Sequence, residues 1–306
     1  MAAPLPPPEQ RLIRTHTGRV EQPIRAVFLT AVQAAQLAVV LSDLLYVIQH
    51  GGQEADLRAV IQIDTLLGRL DVDLTPLLES TLFRATAAAE PVFAESMGFE
   101  SLDLAIFRRD AIAAARTQVG TLIQGIEIGR LNPLTGARSR GQLEIVRGLI
   151  AQGYEAGRPY QQTATLIKEV IGLDDRRASA LARYQGELEA EGTKGPELEK
   201  LVARERRKKL KSRALAISKT ESVRAASIAQ DTIWEEAVSA GQLDPAVWEQ
   251  EFLAEPRSFD PKVCPSQICP KLHLKRAPIG GEFMSGIWGP PVHPHCFCSR
   301  RLRRKR

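Results

Sequence analysis

Apolar residues recur at alternating spacings of three and four positions between residues 24 and 48, which places them on one face of an α-helix. The positions concerned are Ile24, Val27, Ala31, Ala34, Ala38, Leu41, Leu45 and Ile48. The stretch is long enough to cross a bilayer, but it is interrupted by the polar residues Gln33, Gln36, Ser42 and Asp43. We therefore predict a helix that packs against other helices, with small residues at the middle of its contact face.

The same helical spacing continues along the chain and is divided by turn signals. After Gly51-Gly52 it predicts helices over residues 54–70, 74–96 and 101–128, with turns near Asp71 and Met97-Gly98. In the last of these helices the repeated apolar positions are Ile112, Ala115, Val119, Leu122 and Ile126. Beyond a linker at residues 131–136, shorter helices are predicted over 140–153, 160–171 and 174–190, with Asp174 as an N-cap.

Composition favours a mainly α fold, because aromatic residues make up only 5% of the chain while Ala and Leu are frequent. We predict an N-terminal helical bundle, a helical middle region and a small α+β C-terminal domain held together by Cys and His residues. The predicted boundaries are an extended, Pro-rich arm at 1–20, a helical docking region at 21–135, a middle region at 136–213, and a C-terminal domain with a basic tail at 214–306. No apolar signal segment follows the basic residues near the start, so cytoplasmic synthesis is predicted.

All four cysteines and three of the five histidines lie between residues 260 and 298. Zinc binds four nitrogen or sulfur ligands in a tetrahedron, and two ligand arms on separate loops are typical of structural zinc sites. The candidate ligands are Cys264 and Cys269 in the first arm, and His293, Cys296 and Cys298 in the second, where His295 also lies. His293 with Cys296 is the preferred second pair, because two intervening residues let both side chains converge. A disulfide, free thiols and a catalytic metal are the alternatives.

Positive charge is concentrated in the last third of the chain. Residues 200–306 contain 21 of the 41 Lys and Arg but only 11 of the 36 Asp and Glu. Clustered cations bind nucleic-acid phosphates without sequence preference, so nonspecific DNA binding is predicted here, with a solvated charged face as the alternative. The predicted contacts are Arg204, Arg206, Arg207, Lys208 and Lys209 in one run, and Arg300, Arg301, Arg303, Arg304, Lys305 and Arg306 in a mobile tail.

Four segments of the C-terminal half carry a family resemblance. They are ALAISKTESVRAAS at 214–227, a Trp at 234 or 248, FDPKVC at 259–264 and GPPVHPHCFC at 289–298. In this order, from about Gln142 to Cys298, the chain resembles the phage Mu F-like minor head protein family, whose domain is the phage head morphogenesis domain. The chain departs from the family pattern in having Lys219 and Phe297 where the family has Arg, and two extra residues between Cys264 and Cys269.

The resemblance implies a minor capsid protein that binds the portal protein, contacts capsid or scaffold proteins and acts in head morphogenesis, DNA packaging or ejection. It implies assembly in the host cytoplasm, then a place in the virion at the head interior or portal vertex, without a membrane. Structural roles are expected for the motif residues Lys219, Thr220, Glu221 and Asp260. For Glu221 we expect an ion pair with the basic run or a hydrogen bond to the loop at Asp260.

The expected function is not enzymatic, because no catalytic constellation is recognisable in the sequence. Two alternatives come from other functional classes. An HNH-like metal-dependent DNA nuclease would explain the Cys and His cluster, but the sequence lacks the Asp-His doublet and the Asn and His that should follow it. A nonspecific nucleic-acid-binding module would explain the basic runs.

Overall fold

The computed structural model describes residues 8–97, 104–129, 139–157, 159–264 and 266–305, and it confirms a mainly helical protein with a small sheet near the C-terminal end. Within those ranges the helices are α1 Pro8–Ala38, α2 Leu41–His50, α3 Glu54–Val60, α4 Ile63–Met97, α5 Leu104–Glu127, α6 Gln142–Glu155, α7 Tyr160–Val170, α8 Asp175–Ala190, α9 Gly195–Ser239 and α10 Ile268–Leu272. The strands are β1 Trp248–Leu253, β2 Arg276–Ala277 and β3 Ser299–Arg304, with a 3₁₀ turn at Pro256–Phe259.

The chain forms two compact units whose segments alternate along the sequence. The terminal unit comprises Met1–Ile24, Thr75–Gln118 and Ala216–Arg306, and the central unit comprises Arg25–Leu74 and Val119–Leu215. The predicted boundary at 213 lies about two residues from the division between Leu215 and Ala216, whereas the predicted boundary at 135 falls within the Val119–Leu215 segment of the central unit. Residues 197–239 contain neither Gly nor Pro, so α9 continues for 45 residues through the predicted boundary and contributes to both units.

The N-terminal residues differ from the predicted extended arm. Helix α1 begins at Pro8, a residue whose fixed φ and missing N–H suit the first turn of a helix, so residues 8–20 are helical. Residues 1–7 of the predicted arm lie outside the described residues. Arg14, on this first part of α1, is paired with Glu255 at 2.8 Å within the terminal unit. The first part of α1 is therefore part of the unit that holds the C-terminal motifs.

The apolar face predicted for residues 24–48 is correct at Ile24, Ala31 and Ile48 but shifted by about one residue elsewhere. The other residues that the structure buries there include Phe28, Val32, Ala35, Val39 and Leu44. Helix α1 ends at Ala38 and the chain bends by 70° before α2, so the two helices do not share one continuous face. Ala38 and Leu41, beside the bend, are exposed.

The turn predicted near Asp71 does not form. Helix α4 runs through it because Leu70, Leu74, Leu78 and Leu82 repeat at intervals of four and are all buried. The break lies earlier, at Gln62, where φ is +56°. Of the apolar face predicted for α5, the four positions from Ala115 to Ile126 are buried, and the side chain of Ile112 lies outside the described residues.

Helices α6 to α8 follow the predicted ranges closely. The predicted N-cap of α8 is confirmed, since the Asp174 carboxylate accepts a hydrogen bond from the Arg177 N–H at 3.0 Å. The predicted linker at 131–136 lies outside the described residues. In the part of the chain that the structure describes, no single helix has the length and apolarity to cross a membrane; Gly18–Ala38 and Leu41–His50 meet that test only together, across their 70° bend.

The terminal unit contains a three-stranded antiparallel sheet in the order β2-β1-β3. Strand β3 is formed by most of the predicted mobile tail, so that prediction is wrong for residues 299–304. Phe252 of β1 faces a buried apolar cluster that includes all four cysteines. The opposite face carries Glu249 and Glu251, whose cross-strand partners in β3 are Arg303 and Arg301.

Glu251 is the charged centre of that outer face, although its residue surface is only 3% exposed. Arg301 donates to its Oε2 from Nε at 2.7 Å, Arg303 from Nε at 3.3 Å, and Arg276 donates to Oε1 at 3.2 Å. Burial alone would raise the pKa of Glu251, but the hydrogen bonds from Arg301 and Arg303 outweigh it and lower that pKa. The carboxylate therefore stabilises the sheet in its charged form.

We predict that Glu251→Gln lowers the free energy of unfolding by about 1–3 kcal/mol at pH 7, because three arginines lose their shared carboxylate. Since the folded-state pKa is lowered, this stabilisation is present at neutral pH and disappears as the pH falls through that pKa. Urea unfolding at pH 7 and at pH 3 should show the difference between variant and parent narrowing at the lower pH. Glu249→Gln, which removes a partner of Arg276 alone, should cost less, and equal losses would contradict a special role for Glu251.

Candidate metal centre

The first ligand arm is positioned by a turn that begins at Asp260. The Asp260 carboxylate accepts a hydrogen bond from the Lys262 N–H at 2.8 Å, and its carbonyl accepts one from the Cys264 N–H at 3.0 Å. Gln267, in the left-handed region with φ +50°, donates from Nε2 to the Cys264 carbonyl and leads into α10, which carries Cys269. The Asp260 turn thus positions Cys264 in the first ligand arm.

The second arm is a loop that contains a turn from His293 to Cys296 and then enters β3. The Cys296 N–H donates to the His293 carbonyl at 3.1 Å, and His295 between them has φ +61°. Cys298 precedes β3 directly, and its Sγ accepts a hydrogen bond from the Glu255 N–H at 3.5 Å. The ligand arm is therefore anchored at its end by the sheet.

The two arms bring five soft donors together. The ligand atoms of Cys264, Cys269 and His293 lie within 4.8 Å of one another, and so do those of Cys269, Cys296 and Cys298. The Sγ atoms of Cys269 and Cys296 are 3.9 Å apart. This separation is far longer than a disulfide bond, and it matches the edge of about 3.8 Å that a tetrahedron with Zn–S bonds of about 2.3 Å would have. The cluster could therefore bind a metal ion.

Cys269 is central to the cluster because it belongs to both groups of donors. His293 Nε2 is 3.1 Å from its Sγ, so the imidazole approaches the same point as the thiols. The geometry does not decide between the His293–Cys296 pair and the Cys296–Cys298 pair, since the Cys298 Sγ lies within 4.8 Å of the Sγ atoms of both Cys269 and Cys296. Five candidate donors are present where a zinc ion would take four, and His295 belongs to neither group.

The thiols perturb one another. Hydrogen bonds from the thiols of Cys269 and Cys298 lower the pKa of the Cys296 thiol. Hydrogen bonds with Cys296 and Cys298, together with burial, raise the pKa of the Cys269 thiol. The hydrogen bond with Cys269 lowers the pKa of the Cys298 thiol, but the hydrogen bond with Cys296 and burial outweigh it, so that pKa is raised as well. All four cysteines are buried and none forms a disulfide. A bound cation would favour deprotonation of these thiols.

The motif helix α9 passes beside this centre. Lys219 Nζ lies 5.8 Å from the centre of the Phe297 ring, between the two second-arm cysteines. Thr220 donates its hydroxyl hydrogen to the Ala216 carbonyl at 2.7 Å. Buried Glu221 accepts a hydrogen bond from Gln118 at 3.1 Å and pairs with Arg224 at 3.1 Å. These partners lie on α5 and on α9 itself and differ from those expected for Glu221.

The basic run on α9 is only partly available to a ligand. Arg204, Arg207 and Lys208 are exposed, whereas Arg206 is buried, donates to the Glu169 carbonyl at 2.9 Å and pairs with its carboxylate. Lys208 and Lys209 both pair with Glu205 at 3.2 Å. The prediction of a DNA contact is therefore wrong for Arg206, because its guanidinium is held inside the central unit.

The basic residues of β3 contact partners that lie far away in sequence. Arg301 and Arg303 bind Glu251, Arg304 lies over the Trp248 ring at 5.7 Å, and Lys305 donates to the Pro245 carbonyl at 2.8 Å. Arg300 is 1% exposed, so the predicted DNA contact is wrong for this residue. Arg306 lies outside the described residues.

Arg300 instead binds groups that sequence reasoning did not select. Its Nη1 pairs with Asp231 at 2.6 Å and donates to the Gln250 Oε1 at 3.0 Å, and its Nη2 donates to the Ser227 Oγ at 2.8 Å. Its guanidinium lies 5.2 Å from the centre of the Trp234 ring. The sequence signal was a Trp at 234 or 248, and spacing alone does not give the structural partner of either ring.

A cleft of about 240 Å³ opens beside the second ligand arm. Its walls come from α9, from the segment after β1 and from the loop that ends at Cys298, and they include Lys219, Glu255, Arg257 and His295. Glu255 and Arg257 were not selected from the sequence. They lie just before the FDPKVC segment, so extending that segment towards the N-terminus would have included them.

We predict that the purified chain binds about one zinc ion and that Cys269→Ser weakens binding more than a hundredfold. Loss of a hydrogen bond to a metal ligand lowers metal affinity about 10–100-fold, so loss of a donor atom shared by both groups should lower the affinity more. His295→Gln is the matched control and should bind as the parent does. Elemental analysis measures the zinc content and chelator competition measures the zinc affinity. A parent chain without metal and with four freely titratable thiols would contradict the prediction.

Metal affinity should rise steeply with pH. The raised pKa values of Cys269 and Cys298 keep protons on these thiols at neutral pH, and the metal must displace them. Two displaced protons give an increase of about a hundredfold per pH unit between roughly pH 6.5 and 8. Zinc titrations against a chelator of known affinity would measure this slope. A slope near zero would show that the ion does not bind at these thiols.

The donor atoms and the surrounding charges define what this centre can do, and relatives add no further constraint. The chain matches no protein-family model, no curated protein and no solved structure. The likeness of its motifs to the minor head protein family therefore stays an expectation from the sequence.

Proposed function

We propose that this chain is a minor head protein of a tailed phage that binds the portal protein and acts in head morphogenesis, DNA packaging or ejection. The observation that carries the proposal is the convergence of the motif segments in one unit. Lys219 lies over Phe297, the Asp260 turn positions Cys264, and Trp234 underlies Arg300. The Lys219–Phe297 and Trp234–Arg300 contacts join segments that are far apart in sequence, as expected if they form one functional module.

We propose zinc as the metal of this module. Thiolates and imidazole are ligands that zinc prefers, and four donors arranged as a tetrahedron suit a structural ion. The cysteines lie in the apolar cluster with Phe252, Leu272 and Phe283, next to a sheet whose β2 strand has only two residues. An ion at this position would hold together loops that have little regular structure of their own.

We propose that DNA binds without sequence preference to the exposed side of α9. The exposed cations Arg204, Arg207, Lys208 and Lys211 recur at helical spacing, so they lie along one side of the helix. This placement differs from the tail favoured by sequence alone. The β3 arginines are a weaker candidate because Glu249 and Glu251 offset their charge.

The portal contact is proposed for the corner between α1 and α2. Leu37 is 74% exposed and Val40 is 52% exposed, and Leu41 and Tyr46 are exposed beside them. Exposed apolar residues that lie close together are typical of protein–protein contact sites. The corner lies within the region predicted to dock on the portal.

Co-expression with the portal protein of the same phage should give a complex that survives purification after nuclease treatment. A Leu37→Ser, Val40→Ser double variant should reduce the recovered portal at least about tenfold, since each buried apolar side chain contributes about 1.5–3 kcal/mol. Val72→Ser is the matched control, because Val72 is 71% exposed and lies on α4. No complex with the parent chain would reject the proposal, and DNA cleavage dependent on a divalent metal would favour the nuclease alternative.

A further inference from the structure

The cleft beside the metal centre has an excess of unused positive charge. Its buried carboxylate, Glu255, accepts hydrogen bonds on Oε1 from Arg14 and from the Arg257 Nε, both at 2.8 Å. The Glu255 Oε2 accepts one from the Arg257 backbone N–H at 3.0 Å. With both oxygens occupied by these donors, Glu255 is a poor partner for any further cation in the cleft.

Lys219 is the cation of this cleft that does not pair with Glu255. Among the described residues, its ammonium group has no hydrogen bond or ion pair, and its recorded neighbour is the Phe297 ring. Arg257 uses only Nε on Glu255, its side chain is 69% exposed, and its remaining guanidinium N–H groups stay available as donors. Two cationic groups from different elements therefore line one small space with donors to spare.

The balance of charge and the size of the cleft restrict the ligand. Lys219, Arg257 and Arg14 against Glu255 leave two positive charges, and a zinc ion held by three thiolates and an imidazole would reduce this to one. The volume of about 240 Å³ is below the range of about 300–1,000 Å³ that is usual for drug-sized ligands. The cleft is suited to one small anionic group.

We propose that this cleft binds a single phosphate group through Lys219 and Arg257. A phosphate offers several acceptor oxygens in a tetrahedron, which suits donors that approach from two walls. The choice of phosphate over other oxyanions rests on the proposed function, in which DNA is a partner. The group comes either from a DNA backbone or from free phosphate, and both present the same oxygens to the cleft.

The test uses the full-length, zinc-loaded chain and inorganic phosphate as the probe, titrated calorimetrically in chloride buffer. Lys219→Gln should lower phosphate affinity about tenfold, the usual effect of losing one charge-assisted hydrogen bond, whereas Lys219→Arg should retain it. Lys271→Gln is the matched control, because Lys271 is an exposed cation of the same unit outside the cleft. Zinc content and thermal unfolding of each variant establish that the fold is intact.

A short DNA duplex then identifies the source of the phosphate. Displacement of DNA by inorganic phosphate, together with weaker DNA binding by Lys219→Gln, would assign the cleft to the DNA backbone. Phosphate binding that leaves DNA undisturbed would assign it to the free anion. The proposal is overturned if the parent chain does not bind phosphate, or if Lys219→Gln and Lys271→Gln bind it alike. Portal binding is measured separately, so its failure would not be confused with failure of the cleft.

Discussion

The guanidinium of Arg300 is the buried charge around which the terminal unit is arranged. Removing a charged group from water costs several kcal/mol unless the protein replaces its hydrogen bonds. Asp231 and Ser227 of α9, Gln250 of β1 and the carbonyl of Trp288 supply them, although Nε has no partner among the described atoms. Strand β3, α9 and the loop before the cysteines must therefore keep one arrangement for the charge to be tolerated.

This constraint extends to the metal centre through the chain itself. Cys298 stands two positions before Arg300, so fixing the guanidinium also fixes the end of the second ligand arm. Gly289, at the start of that arm, has no room for a side chain, because an added Cβ would lie 2.9 Å from the Arg300 guanidinium carbon. The arm is thus held at both ends by one residue, and its donors converge on Cys269 between these anchors.

Local patterns in the sequence predicted most of the helices because burial follows the helical repeat wherever no break intervenes. The errors occur where local and distant effects compete. Asp71 is a weak turn signal that four buried leucines override, and residues 299–304, predicted as a mobile tail, pair with β1. The candidate donors were predicted from residue types alone, but the choice among the five depends on loop geometry that spacing does not determine.

Charge was the least predictable property, because its effect depends on partners that are distant in sequence. The sequence predicted that the β3 residues form a mobile cationic tail. In the structure, Glu249 and Glu251 of β1 lie opposite Arg303 and Arg301, and the side chain of Arg300 is buried. Cross-strand register decides which charges cancel, and register is invisible until the strands are known to pair. The same reasoning explains why Lys219 was noticed only as a departure from a motif and not as a cation facing a cleft.

The alternation of chain segments between the two units also has a kinetic meaning. The Arg14–Glu255 contact closes a separation of 241 residues and the Gln118–Glu221 contact closes one of 103, and contacts of such long range form slowly. The candidate metal donors, by contrast, all lie between Cys264 and Cys298. We expect the Cys and His loops to be the early-forming part of the terminal unit, onto which the helices from the first half of the chain assemble later.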